Sequence, residues 1–104
     1  MRSKGRGMAQ FLALVKRDYD RFTEADFSPL LEPEAQRARE LYAAGTFRQM
    51  WSRGDLPGAA IVLEAASIEE ARSHMKSLPL AAKGMLQFEI LPLNPYRGFG
   101  PRTP

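Results

Sequence analysis

The sequence predicts a small α+β fold, with two helices laid on one face of a four-stranded antiparallel sheet in the order β-α-β-β-α-β. Three observations predict it. Apolar residues recur at helical spacing after Leu30. A capping signal at "SIEE" (67–70) opens a second helical stretch. Short apolar runs bounded by glycine and proline lie before, between and after the two.

The first strand is "MAQFLALVKR" at 8–17, and "DYDRFTEADFSP" at 18–29 reads as a polar, aromatic-dotted connection with room for a helical turn. Leu31, Ala35, Ala38 and Tyr42 recur along one helix face, with Leu41 beside them. Pro33 suits a first helical turn, where its missing N–H costs nothing. Glu32 and Glu34 suit the positive end of the helix dipole. Gly45 marks the left-handed residue past the helix end, so the first helix runs over about 31–44.

"TFRQMWS" (46–52) is the second strand, "RGDLPG" (53–58) a hairpin loop and "AAIVLEA" (59–65) the third strand. Ser67 stands three residues before Glu70, so each side chain is placed to satisfy the other's backbone N–H. Ile68, Ala71, Met75 and Leu78 form the stripe of the second helix, which Pro79 ends. "KGMLQFEILPL" (83–93) is the last strand. The expected organisation is a disordered basic extension at 1–7, one domain at 8–93 and an irregular tail at 94–104, with Met8 as a possible native start.

Alternation along the strands divides their side chains between two faces. Phe11, Ala13 and Val15 oppose Gln10, Leu12 and Leu14. Ala59, Ile61 and Leu63 oppose Ala60 and Val62, while Leu86, Phe88 and Ile90 oppose Met85, Gln87, Glu89 and Leu91. Both faces are substantially apolar, whereas a face left in water alternates more cleanly. The economical cover for the second face is a second copy, which gives a ferredoxin-like protomer in a dimeric α+β barrel.

Composition narrows the function. The 104 residues suffice for one domain and one modest core. There is no cysteine, which excludes disulfides, thiolate catalysis and cysteine-ligated zinc, and the single histidine argues against a histidine-rich metal site. The net charge of +3 comes from the ends, because residues 9–93 hold ten basic and twelve acidic side chains. A nucleic-acid partner needs a basic stripe on the folded body, so none is expected. The run "AQFLALV" (9–15) is followed at once by "KRDYDR", unlike a signal peptide, and no stretch has the ~20 apolar residues of a membrane helix. The expectation is a cytoplasmic protein with no membrane partner.

The stretch "GTFRQMWSRG" (45–54) carries the one tryptophan between two arginines. "GTFRQMW" after a helix, "SIEEA" at a helix start and "SLPL" before the last strand resemble the muconolactone Δ-isomerase family over about 40–93. Gly45, Thr46, Phe47, Arg48 and Trp51 carry the most specific part of the likeness, and Leu78, Pro79 and Leu80 the second. Gln49 stands where that family suggests a histidine, and the tail "NPYRGFG" is not part of the likeness. The resemblance implies a small cofactor-free isomerase of aromatic catabolism. It implies a double-bond shift in a carboxylated unsaturated lactone, and sites near subunit contacts in a ring of dimers.

Such chemistry needs a base that takes and returns a proton, and a fixed cation for the carboxylate. Arg48 is the candidate cation and Arg53 the reserve; the alternative for Arg48 is an edge-strand charge that keeps the sheet soluble. Trp51, three positions from Arg48, projects to the opposite sheet face unless a bulge intervenes, and it otherwise serves as a core or interface anchor. Glu89, inside an apolar strand, is the candidate proton carrier; its alternative is an interface pair with an arginine. Gln10 and Gln87 either line the same cavity or hydrogen-bond each other across strands. His74 is an acid–base candidate by residue type or a boundary histidine on the outer helix. Glu34, Glu40, Glu69 and Glu70 read as solvated helix positions or caps. No cofactor is expected, and the partners expected are a second copy and a small organic acid or lactone. The competing reading is a non-catalytic or differently catalytic ligand-binding or assembly module on the same barrel, because fold does not dictate function.

Overall fold

A computed structural model of the chain describes residues 8–99. The extension at 1–7 and the end of the tail at 100–104 lie outside the described residues. Strand β1 (Ala9–Arg17) leads through a short helix α1 (Glu24–Phe27) and a 3-10 turn (Ser28–Leu30) into helix α2 (Leu31–Ala43). Strands β2 (Phe47–Ser52) and β3 (Gly58–Ala65) form a hairpin. Helices α3 (Ile68–Lys76) and α4 (Pro79–Ala82) precede strand β4 (Leu86–Leu93), and a 3-10 turn follows at Arg97–Phe99.

The strands pair antiparallel in the order β2-β3-β1-β4, so the first and third strands occupy the centre. The topology is compatible with the ferredoxin-like arrangement that the element order predicts. Among the described residues no helix is long and apolar enough to cross a membrane.

The helix ends follow local chemistry. Gly45 has φ +82°, and the N–H groups of Gly45 and Thr46 bond the carbonyls of Tyr42 (3.0 Å) and Leu41 (2.9 Å). That is the paired bonding of a helix closed by a left-handed glycine. Ser67 Oγ accepts from the Glu70 N–H at 3.1 Å, as expected for a helix start. Glu70 reaches back one residue further than the simple box, to the N–H of Ala66.

Pro79 does more than end a helix. Leu78 is extended (φ −71°, ψ 136°), and Pro79 opens the four-residue α4, where its lack of an N–H is harmless. The last strand therefore begins at Leu86 rather than at Lys83. Met85 lies before the strand and is buried with Phe27 and Leu80, not on the open face with Gln87 and Glu89.

One sheet face carries the core. Phe11, Ala13, Val15, Ile61, Leu63 and Ile90 pack against Ala38 and Leu41 of α2 and Ala71 and Met75 of α3. Each large side chain fully buried here contributes about 1.5–3 kcal/mol through removal of apolar surface from water. The stripe of α2 differs from the expected one. Leu41 is buried and Tyr42 exposed, so the inward line runs through positions 31, 34, 38 and 41.

Among the described residues nothing covers the other sheet face. Leu12, Leu14 and Val62 are half-buried, while Trp51, Leu91 and Leu93 are exposed.

Candidate functional site

The register between β2 and β3 slips between Phe47 and Gln49, a β-bulge at Arg48. Phe47 pairs with Leu63 on the core face, whereas Gln49 and Trp51 pair with Val62 and Ala60 on the open face. The extra residue re-aims the strand. Arg48 Nε lies 4.0 Å from Glu64 Oε2, and Gln10 Nε2 donates to the same oxygen at 3.3 Å. The bulge thus brings Arg48 and Trp51 to the same sheet face.

The expected site residues are dispersed over that face. Glu89 pairs with Leu14 on β4 and is exposed. Two strands separate β4 from β2, so Glu89 and Arg48 lie about 14 Å apart or more and share no site in one protomer. Gln10 pairs with Leu93 and Gln87 with Lys16, which places the two glutamines roughly 20 Å apart along the strands. They neither bond each other nor line one cavity.

Arg53 is held by Asp55 through two hydrogen bonds, Nε to Oδ1 at 3.0 Å and Nη2 to Oδ2 at 2.8 Å. This pair raises the Arg53 guanidinium above its ordinary value and lowers the Asp55 carboxyl. Arg53, Gln87 and Glu89 border a shallow depression of about 350 Å³ at the end of the open face, with Leu14 as its floor. His74 sits half-buried on α3, across the sheet from all of them.

A different group of residues meets on the core side. Alternation along β1 that buries Phe11, Ala13 and Val15 continues to Arg17, the last residue of the strand. The inward stripe of α2 includes Glu34. Where these two polar interruptions meet, the helix layer and the sheet leave a cavity of about 270 Å³. Its walls are mostly apolar, with Val15, Ile61, Leu78, Leu80 and Leu86 among them, and among the described residues Glu34 is its only acid. The edge strand closes it at Met50, Trp51 and Ser52.

Glu34 is half-buried, and its Oε1 accepts a 2.9 Å hydrogen bond from the Leu80 backbone N–H. That N–H is free for Glu34 because it lies in the first turn of α4, where helices leave donors unpaired. Burial pushes the Glu34 carboxyl above the ordinary range; the Leu80 N–H and the charge of Arg17 oppose the rise without cancelling it. A carboxyl so placed is suited to carry a proton to and from a bound molecule.

Glu34 and Arg17 were legible in principle. Each is a charged residue at a position where the local period demands an apolar one. Reading Glu34 as a solvated helix acid and Arg17 simply as the end of the first strand overlooked that conflict. Among the described residues no cluster of three His, Asp or Glu is arranged to hold a metal. The chain matches no protein-family model, and no curated protein matches it in sequence.

Proposed function

We propose that this chain is a small cofactor-independent enzyme that shifts a double bond in an unsaturated lactone or carboxylic acid by proton transfer, with Glu34 as the proton carrier. The observation that supports this reading is a half-buried carboxylate in a mostly apolar cavity, with its proton affinity raised by burial. The Glu34 carboxylate takes a proton from the carbon between a carbonyl and a carbon–carbon double bond. The electron pair of the broken C–H bond delocalises onto the carbonyl oxygen. The resulting acid returns the proton at the far end of the conjugated system, so no oxidant or reductant is consumed. The raised proton affinity matters because a base works best when its pKa lies near the working pH. The likeness of "GTFRQMW" and "SLPL" to muconolactone Δ-isomerases agrees with this class, and in this chain the latter supplies the Leu80 N–H that orients Glu34.

The working unit of the proposal is a homodimer whose open sheet faces pack together. Leu12, Leu14, Val62, Leu91 and Trp51 line the uncovered face. Apolar area of this kind is rarely left in water on a monomer.

The test is an ultraviolet assay of the full chain against unsaturated lactones and small unsaturated acids. Conversion of at least one β,γ-unsaturated substrate to its conjugated isomer supports the reading. An inert chain across the whole panel contradicts it and favours a ligand-binding or assembly module.

A further inference from the structure

Arg17 is the second unusual group in the cavity, and its surroundings differ from those of the other arginines. Arg21, Arg37, Arg39, Arg48 and Arg53 each have a carboxylate oxygen within 4.0 Å. Among the described residues Arg17 forms no such pair. Among the described residues Arg72 and Arg97 form none either, but both are exposed and neither lines this cavity.

Arg17 is nevertheless held in place. Its guanidinium carbon lies 5.5 Å from the centroid of the buried Phe27 ring, a cation–π contact. Its Nη1 donates a long 3.5 Å bond to the Tyr19 hydroxyl, which is itself committed to Glu24 at 2.6 Å. These contacts position the guanidinium and, among the described residues, leave most of its five N–H donors without an acceptor. A half-buried, prepositioned guanidinium with unused donors, bordering an apolar cavity, is an anion site in want of an anion.

We propose that Arg17 is the anchor for the substrate carboxylate: the cavity takes a small, flat carboxylic acid, its carboxylate forked on Arg17 and its unsaturated carbon skeleton lying against Val15, Ile61, Leu80 and Leu86 toward Glu34. This rests on the proton-transfer reading of the same cavity. Its volume of about 270 Å³ leaves room for roughly nine non-hydrogen atoms, at about 30 Å³ each as for water. One arginine facing one acid suits a monoanion; a phosphate ester would bring a second charge against Glu34. A carboxylate on Arg17 also offsets the positive charge that favours ionised Glu34, which leaves Glu34 a stronger base for a carbon-bound proton. Arg53, whose donors meet Asp55, and Arg48, whose Nε lies 4.0 Å from Glu64 Oε2, sit on the open face and border no part of this cavity.

Isothermal titration calorimetry of the full chain with benzoate and with benzamide tests this. The two probes share a flat ring and differ in charge. Benzoate is expected to bind at least about tenfold tighter than benzamide, the worth of one charge-assisted fork. Arg17→Met is expected to lose that preference, Arg17→Lys to recover only part of it, and Glu34→Gln to keep it, because a lysine does not reproduce the fork. Equal binding of both probes by the unmodified chain, no binding of benzoate, or an undiminished preference in Arg17→Met each overturns the proposal. If Arg17→Met fails to fold, Arg17→Lys and the probe pair on the unmodified chain still decide it. Benzoate preference in a chain that converts no substrate leaves the anchor standing and removes the catalytic reading, so the two failures are separate.

Discussion

Glu34 of α2 accepts a 2.9 Å hydrogen bond from the backbone N–H of Leu80, 46 residues further along the chain. The bond ties the inward stripe of one helix to the first turn of another, in the wall of the cavity. It fixes one oxygen of a carboxylate that burial would otherwise push further from its ionised form. In the proposed function, stability and chemistry are therefore coupled at this residue.

Glu34→Gln is expected to raise the melting temperature at neutral and alkaline pH. The folded chain holds the Glu34 proton more tightly than the unfolded chain does. Folding stability consequently falls as pH rises from the ordinary carboxylate range through the raised folded value, and the penalty stays in full above it. Glutamine keeps an acceptor for Leu80 and carries no charge. Thermal scans from pH 4 to pH 8 should show the gain absent at the acidic end and opening as pH rises. A variant less stable than the unmodified chain at pH 8 contradicts the account.

Asp18 behaves in the opposite sense. It is 2% exposed, Arg21 Nε donates to its Oδ2 at 2.6 Å, and its Oδ1 accepts the N–H groups of Asp20 and Arg21 at 3.2 Å each. The Arg21 side-chain bond holds the carboxyl below the ordinary range, against the desolvation that would raise it. Stability from this group is present above the ordinary carboxylate pKa and is lost as pH falls through the depressed folded value. Asp18→Asn should therefore lower the melting temperature at pH 7 and narrow its gap to the unmodified chain in acid. A gap that is constant with pH would assign the effect to shape alone.

Gly58 is needed where β1 and β3 approach closely. A Cβ placed there would stand 2.0 Å from the Val15 carbonyl oxygen and 2.9 Å from its carbon. Backbone atoms at this distance must shift, so Gly58→Ala should cost about 1–3 kcal/mol, of the order of overpacking. For a domain this size that is a melting temperature lower by ~4 °C or more. Gly54, with open space around it, is the control: Gly54→Ala should stay within ~0.5 kcal/mol. Equal effects at both positions would mean that the strand pairing at Gly58 differs from that described.

Light scattering at micromolar concentration should give at least twice the chain mass of 11.7 kDa. Leu91→Glu places a charge on the uncovered face without touching the core, since Leu91 pairs with Leu12 on that side. It should yield a folded species of lower mass with an unchanged circular dichroism spectrum. A monomeric unmodified chain would remove the dimeric barrel.

The fold was legible where periodicity and caps spoke alone. The order of the strands, the left-handed Gly45 and the Ser67 cap follow from local rules that tertiary packing does not override. Helix α4 was missed because Pro79 carries two readings, a stop and a start, and only the extended Leu78 before it selects the second. The bulge at Arg48 leaves no sequence signature, and it decides which face Arg48 takes. The proposed site lies away from the residues that the sequence singled out, for a related reason. Arginine and tryptophan in "GTFRQMW" drew attention to the open face by residue type. The more informative signal was positional: Arg17 ends an apolar alternation, and Glu34 interrupts an apolar helical line. Neither signal becomes a site until the chain brings β1, α2 and α4 together, and that contact spans too many residues for local rules to foresee.

The account stands most directly on which carboxylate moves the proton. An unsaturated lactone incubated in deuterium oxide with the full chain, followed by proton magnetic resonance, reports exchange at the acidic carbon even where net isomerisation is slow. Glu34→Gln and Glu89→Gln are measured beside the unmodified chain. Removal of a general base costs ~10²–10⁴ in rate, so Glu34→Gln should lose exchange by that order. Glu89→Gln, on the exposed face, should keep it within about threefold, short of the ~10² of a lost base. Full exchange in Glu34→Gln, with the loss falling on Glu89→Gln instead, would contradict the assignment and move the chemistry to the open face of the sheet.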